Sequence, residues 1–333
     1  LGPWVNQRGV FSLDVRNDVF RDEKVASAQK WLRHGTGQHF ELGIAENNLF
    51  IMLAALGLSG PLFGTRLLPI GTLYDPFIAR GLDSLNYACY QDARFMLVAT
   101  PAGITLAPEG GAHQSISSPL IGIGQPGLSS YEPAYADELA VIMRWAFEYM
   151  QAEKGGSIYL RLSTRAIDQP SREMKPELEN QIIKGAYWHI PPTDGARIAI
   201  VYSGAVVPEV IEAYEQLKEE ISELGIMAIT SYDRLYHDWQ RSQVENIEGR
   251  NNIDCHIINL LAPLHSNATL ITVQDAHPAT LSWLGSATGR KLLPLGVTEF
   301  GQSGNIRDLY RQYGIGADAI IDAAARASIK HSH

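Results

Sequence analysis

The segment Leu106–Ser115 places a carboxylate and an imidazole four residues apart, Glu109 and His113, on a glycine-rich backbone. Imidazole exchanges protons near neutral pH, and glycine allows the backbone to approach a ligand closely. These residue types therefore suit acid–base chemistry on a bound molecule. From this segment alone, a solvated loop with an incidental histidine is an equal alternative.

A second carboxylate, Glu46, opens one of the most apolar segments of the chain, ENNLFIMLAALG. At the start of a helix, a glutamate is usually a favourable charge at the positive end of the helix dipole. A carboxyl group against apolar surface can instead serve as a proton donor or a hydrogen-bond partner. Position alone leaves both interpretations of Glu46 open.

A third candidate is the G-x-G-x-x-G pattern at Gly122–Gly127, which resembles a dinucleotide fingerprint. That fingerprint must follow a strand and open a helix whose N-terminus receives the pyrophosphate. Here Pro126 is followed by a polar turn, and the next predicted helix waits until about Asp137. We therefore interpret the pattern as a plain loop.

The elements that must position these residues follow from apolar periodicity and from turn residues. Helices are predicted from about Glu46 to Leu58, over Tyr74–Tyr90, and after Asp137, a plausible N-cap. The continuous apolar run at 94–100 and the alternating run at 157–163 predict strands, as does a short stretch near Leu67–Ile70.

After a charged, proline-bearing linker at 168–180, a second series begins. Strands are predicted at 197–204, near 226–230 and at 270–276, with a helix from about Pro208. Strands that alternate with helices indicate α/β architecture. We expect a doubly wound, mainly parallel sheet followed by a second α/β domain, with domains 1–190 and 191–333.

Composition excludes several classes of protein. The net charge of −9 with scattered Lys and Arg argues against nucleic-acid binding. The longest apolar run, Leu49–Leu58, is too short to span a membrane, and no signal peptide is visible, so we expect a cytoplasmic protein. Cys89 and Cys255 are too few for a disulfide framework or a zinc site, so we expect core positions.

Several motifs in the same order resemble the transketolase-like thiamine-diphosphate enzymes. The likeness is greatest to the decarboxylating first component of pyruvate dehydrogenase complexes. It implies a pyrimidine-binding domain followed by a transketolase-like C-terminal domain. The motifs are GIAE (43–46), Y-x-x-F (Tyr74, Phe77), E-G-x-x-H (Glu109, His113), EPAYADE (132–138) and a C-terminal segment (297–324).

The resemblance implies roles for these residues. Glu46 would hydrogen-bond the aminopyrimidine ring of thiamine diphosphate and help to activate the cofactor, and Tyr74 and Phe77 would wall that ring. His113 would donate to the substrate carbonyl or stabilise the alkoxide, with Glu109 in a less defined role beside it. Core packing of Tyr74 and Phe77 stays an alternative.

The family also binds the diphosphate through magnesium, with a G-D-G motif that this sequence lacks. The resemblance therefore implies a further module, either upstream in a longer chain or in a separate partner chain. The absent initiator Met and the E-G-x-x-H motif favour the longer chain.

The function implied by the resemblance is an oxidoreductase component, most like a pyruvate dehydrogenase. It would decarboxylate a 2-oxo acid, form a homodimer and pass its product to a lipoyl carrier protein. Two alternatives stay open, a transketolase-like ketol transferase and a non-catalytic dimerisation or assembly module.

Overall fold

The computed structural model describes residues 2–14, 23–24, 31–247 and 254–331 of the protein. The chain divides into two compact units, Leu1–Leu49 and Phe50–His333. Both large sheets lie in the second unit.

The first unit is built from short elements. Helix α1 (Gly2–Arg8) leads into strand β1 (Val10–Phe11), which pairs in parallel with strand β2 (Arg33–His34). The unit boundary falls inside helix α2 (Glu46–Gly57). The helix predicted to begin at Glu46 is thus confirmed.

The first large sheet has four parallel strands in the order β3-β4-β6-β5. Because all four run in one direction, their C-terminal ends meet at one edge, where α/β sheets usually bind ligands. The strands are β3 (Ile70–Leu73), β4 (Met96–Ala99), β5 (Leu128–Tyr131) and β6 (Ser157–Arg161). The helices are α3 (Ser59–Phe63), α4 (Leu82–Tyr90), α5 (Ser118–Gly124) and α6 (Ala136–Gln151).

The second sheet has five strands in the order β11-β10-β8-β9-β7, and only the pair of β7 with β9 is antiparallel. The strands are β7 (Ala186–Ile190), β8 (Ile198–Ser203), β9 (Gly225–Ile229), β10 (Thr269–Gln274) and β11 (Lys291–Leu295). The helices are α7 (Pro176–Lys184), α8 (Val207–Leu217), α9 (Tyr232–Ile247), α10 (His256–Leu261), α11 (Ala279–Thr288), α12 (Ile306–Gln312) and α13 (Ala317–His331). The predicted α/β class, a parallel sheet followed by a second sheet domain, is confirmed.

Strand β6 differs from its predicted pattern. The strand expected at 157–163 forms. The alternating pattern predicted one buried and one exposed face, which is wrong, because all five residues of β6 are buried. β6 lies between β4 and β5, and parallel strands of this kind are covered on both faces. An arginine, Arg161, is among these buried residues.

The helix predicted over Tyr74–Tyr90 is divided into two pieces. A 3-10 turn, Asp75–Gly81, carries proline in its first turn, and α4 begins only after Gly81. Glycine weakens helical continuity, which accounts for the break. The strand expected near Leu67–Ile70 starts at Ile70 instead, because Pro69 has no N–H to donate to a strand ladder.

Asp137 is not the N-cap that the sequence suggested. Helix α6 follows Tyr135, and the carboxylate of Glu138 accepts hydrogen bonds from the N–H groups of Ala134 and Tyr135 at 2.8 and 3.1 Å. This is the reach-back expected of an acid in the first turn. Asp137 instead forms an ion pair with Arg172 at 2.7 Å.

Two further segments differ in part from their predictions. The expected linker, 168–180, enters α7 at Pro176, and β7 follows as a strand that the sequence analysis missed. The domain boundary near residue 190 stays a prediction. The Gly122–Gly127 pattern covers the end of α5 and the turn before β5, so part of the expected loop is helical. As predicted, the pattern does not follow a strand and open a helix.

The interior contains both cysteines. Cys89 and Cys255 are buried and unbonded, as predicted for core residues. Among the helices of the described ranges, none is long and apolar enough to cross a membrane.

Candidate functional site

Three of the predicted site residues form one group, which we call the ring cluster: Tyr74, Phe77 and His113. Tyr74 precedes the 3-10 turn after β3, and Phe77 lies within that turn. The ring centroids are 5.7 Å apart for Tyr74 and Phe77, 5.9 Å for Tyr74 and His113, and 5.7 Å for Phe77 and His113. The chain therefore brings together residues 36 to 39 positions apart in sequence.

Part of the ring cluster is open to solvent. Tyr74 is 43% exposed, and Phe77 and His113 are half-buried. Arg80 holds its guanidinium carbon 3.8 Å from the centroid of Phe77, which occupies part of that ring's surface. Arg80 was not among the residues predicted for the site. Tyr74 consequently offers the freer surface for stacking a planar ligand.

His113 retains hydrogen-bonding capacity. Its Nδ1 atom is buried and has no hydrogen-bond partner in the described part of the chain. The nearest carboxylate oxygen, Oε2 of Glu109, lies at 4.0 Å, beyond hydrogen-bonding distance. A buried nitrogen without a partner is costly, so this imidazole is poised to bond an added molecule or to turn toward Glu109.

The loop that carries His113 is held by the C-terminal segment. Glu109 and His113 end two successive 3-10 turns. On one side the Gly304 N–H donates to the Ala107 carbonyl at 3.0 Å. On the other, the Gln114 amide donates to the Gln302 carbonyl at 3.0 Å. Residues about 190 positions away thus fix the loop on both sides of His113.

Glu46, the remaining predicted site residue, is the first residue of α2 and is half-buried. The buried residues of this helix are Phe50, Leu53 and Gly57, whereas Ile51 is 58% exposed. The apolar segment that Glu46 opens is therefore buried on one side only. The role of Glu46 stays a prediction.

A second group, which we call the Arg161 cluster, was not predicted from the sequence: Asp75, Glu132, Arg161 and Asp275. All four are almost completely buried. The guanidinium of Arg161 lies 3.0 Å from Asp75 and 2.5 Å from Glu132, and it donates to the Asp275 carbonyl at 3.0 Å. Tyr310 donates to the Asp275 carboxylate at 2.9 Å.

The Arg161 cluster joins the C-terminal ends of strands from both sheets. Glu132 follows β5, Arg161 ends β6, and Asp275 follows β10. Asp75 begins the turn two residues after β3. No local signal pointed to this cluster, because the alternating run at 157–163 places Arg161 on the polar face of its strand.

The cluster contains one guanidinium and three carboxyl groups, so its acidic side chains outnumber its basic one. Burial raises the pKa of Glu132 to about 7, with Asp75 and Asp275 adding to the shift and Arg161 opposing it. Burial likewise raises the pKa of Asp275 to about 6, again against Arg161. Near neutral pH the cluster therefore retains protons that exposed carboxylates would release.

The Arg161 cluster also anchors both segments that carry the ring cluster. Asp75 is the neighbour of Tyr74 in sequence and accepts hydrogen bonds from the hydroxyls of Ser115 and Ser118. Asp275 accepts from the Ile104 N–H at 3.0 Å. The buried charges thus fix the backbone on which the rings are mounted.

Comparisons with known protein families divide the chain in two. Residues 17–168 match the family model of the pyruvate dehydrogenase E1 component middle domain. Residues 185–316 match that of the transketolase-like TK C-terminal domain. The two matches follow one another along the chain without overlap.

Individual proteins give the same picture. The pyruvate dehydrogenase E1 component of Escherichia coli (strain K12) is 27% identical over 283 residues, covering 79% of this chain and 30% of that protein. A putative transketolase C-terminal section of Methanocaldococcus jannaschii is 26% identical over 293 residues, covering 84% and 80%. The chain thus spans less than a third of the E. coli relative but most of the M. jannaschii one.

Among solved structures, transketolase from Leishmania mexicana superposes with a TM-score of 0.70 at 18% identity, covering 89% of this chain and 38% of that one. At this identity the likeness concerns the fold. This similarity agrees with an α/β sheet domain followed along the chain by a second one.

Proposed function

Since the chain belongs to the transketolase-like family of thiamine-diphosphate enzymes, we propose that it supplies the pyrimidine-binding and C-terminal domains of a 2-oxo acid dehydrogenase component. Pyruvate is the proposed substrate. The observation that carries the proposal is the ring cluster beside Glu109, because it joins the Y-x-x-F and E-G-x-x-H residues in one half-open site. The match to a pyruvate dehydrogenase middle domain supports the choice of substrate.

The residues present fit the ring end of thiamine diphosphate. Tyr74 offers exposed aromatic surface against which an aminopyrimidine would stack, and Phe77 closes the same site edge-on. For Glu46, at the start of α2, the family resemblance implies a hydrogen bond to a ring nitrogen. When bound, the cofactor supplies an acidic thiazolium carbon that adds to the substrate carbonyl.

His113 would donate a proton to the substrate oxygen and take it back afterwards. Its Nδ1 has no hydrogen-bond partner in the described part of the chain, so binding need not break an existing bond. Imidazole can donate to a carbonyl oxygen as negative charge develops there and can recover the proton afterwards. The nearest acid is Glu109, whose Oε2 lies 4.0 Å from Nδ1 of His113.

The diphosphate and its magnesium would be held outside these 333 residues. In an arrangement like the E. coli relative, the same longer chain would carry that module; in one like the M. jannaschii section, a second chain would. Large apolar side chains on α2, α3 and α4 are exposed, which favours docking of such a module or of a second copy in a homodimer. They are Ile51, Leu62, Phe63, Tyr87 and Tyr90.

Substitution of Glu46 in the complete enzyme tests the proposal. Glu46→Gln keeps the shape but removes the carboxylate, so we expect pyruvate decarboxylation to fall at least about 100-fold with the unfolding midpoint unchanged. The matched control is Glu41→Gln, which alters a partly exposed carboxylate paired with Arg33 in the same segment. Control-level turnover by Glu46→Gln would contradict the proposed role.

The same assay separates the alternatives. Turnover of a ketose phosphate without turnover of pyruvate would favour a ketol transferase. Lack of thiamine-diphosphate binding by the complete enzyme would favour an assembly module. Native mass spectrometry of the purified protein supplies the composition that both tests need, because it identifies every chain and cofactor that is present.

A further inference from the structure

A cavity of about 480 Å3 lies between the turn at 125–129, which leads into β5, and helix α9. It shares no lining residue with the ring cluster or the Arg161 cluster. Its volume lies in the range typical of small-molecule sites. The turn includes the end of the glycine pattern that sequence analysis set aside, with Gly127 at a φ of 79°.

Helix α9 presents a cationic face to this cavity. Arg234, His237 and Arg241 all line it. Their spacing of three and four residues places them on one side of a helix. Two guanidinium forks with an imidazole between them form a donor set suited to a phosphate group.

The acids that line the cavity already have partners. Asp238 pairs with Arg241 at 2.5 Å and accepts from the His256 N–H at 2.8 Å. Asp233 is buried and accepts from the Ser231 hydroxyl at 2.8 Å. Burial also raises the pKa of Asp233 to about 7, which reduces its negative charge near neutral pH. Arg241 uses an Nη2 donor for Asp238, which leaves its other guanidinium N–H groups beside Arg234 and His237.

Arg234 carries a buried donor that has no partner among the described residues. Its guanidinium carbon lies 4.8 Å from the ring centroid of Trp145. Its Nε atom is buried without a hydrogen-bond partner among the described residues. An unmet buried donor is costly, and more so on a charged group, so the guanidinium of Arg234, a lining residue, would gain by turning toward an anion in the cavity.

We propose that this cavity binds the phosphate group of a small phosphate monoester through Arg234, His237 and Arg241. The apolar surface of Leu128 and Tyr149 suits the carbon portion of such a ligand. One wall belongs to the turn before β5 and the other to the helix after β9, so the ligand bridges structure around both sheets. It would stabilise their packing independently of the chemistry at the ring cluster.

Calorimetric titration of the complete protein tests this site. Inorganic phosphate and glycerol 3-phosphate are titrated separately at about 0.15 M salt, with thiamine diphosphate and Mg2+ present throughout so that the cofactor site is filled. We expect glycerol 3-phosphate to bind at least several-fold more tightly than inorganic phosphate. Equal affinities would overturn the assignment to a monoester.

Variants then locate the binding. We expect Arg241→Gln, which changes a 57% exposed side chain and should fold normally, to raise the dissociation constant of glycerol 3-phosphate at least about 10-fold. His237→Gln should weaken binding by a smaller factor. The matched control is Arg144→Gln, an exposed arginine paired with Glu179 at 2.6 Å outside the cavity. Unchanged affinity in Arg241→Gln and His237→Gln, or equal loss in the control, would overturn the site.

Discussion

The ring cluster and the Arg161 cluster arise at the same edge of the four-stranded sheet, yet their polar groups are used differently. Asp75 is paired and completely buried, while Tyr74, its neighbour in sequence, is 43% exposed. Arg161 donates to acids and carbonyls around it, whereas Nδ1 of His113 has no hydrogen-bond partner in the described part of the chain. At this edge, polar residues that are surrounded by buried partners stabilise the fold. Polar residues without such partners can still bond a ligand.

The largest expected effect is the loss of the buried cation. Arg161→Met leaves Asp75, Glu132 and Asp275 buried without a compensating charge, and breaking a buried ion pair costs about 3–5 kcal/mol. Urea denaturation measures the free energy of unfolding. Arg144→Met, which removes an arginine with a 62% exposed side chain from a surface pair, should cost about 1 kcal/mol or less. If both variants lost a similar free energy of unfolding, the Arg161 cluster would stabilise the fold no more than a surface ion pair does.

The residues of one cluster could be predicted from the sequence and those of the other could not, for physical reasons. The ring cluster was predictable because its residues occur in short motifs whose order resembles a family. The Arg161 cluster was not, because Asp275 and Arg161 are 114 residues apart and meet only when the two sheets pack. Local patterns predicted β4, β6, β8, β9 and β10 and the approximate position of β3, but they missed β5, β7 and β11.

The next effect concerns the pH dependence of stability. Burial raises the pKa of Glu132 from its ordinary value of 4.5 to about 7 in the folded protein. Between these values the unfolded chain releases a proton that the folded protein keeps, so this stabilising contribution is full below about pH 4.5 and is lost as the pH rises through 7. The loss is of order 1–3 kcal/mol.

Glu132→Gln removes this titration. We expect the free energy of unfolding of the variant, relative to wild type, to rise between pH 5 and pH 8, as followed by urea denaturation at several pH values. Glu148→Gln, on the exposed side of α6, controls for general charge effects and should show no such trend. A constant difference between Glu132→Gln and wild type across this range would rule out proton retention at Glu132.

The smallest expected effect on stability lies in the ring cluster. Tyr74→Leu removes a partly exposed ring whose contacts with Phe77 and His113 are edge-on, so the free energy of unfolding should fall by about 1 kcal/mol or less. Affinity of the complete enzyme for thiamine diphosphate should nevertheless fall about 10-fold, because stacking surface is lost. Tyr214→Leu, at a half-buried tyrosine of α8, should leave that affinity unchanged. If Tyr74→Leu instead destabilises the fold as strongly as Arg161→Met while cofactor affinity persists, Tyr74 is a core residue and the contrast between the two clusters fails.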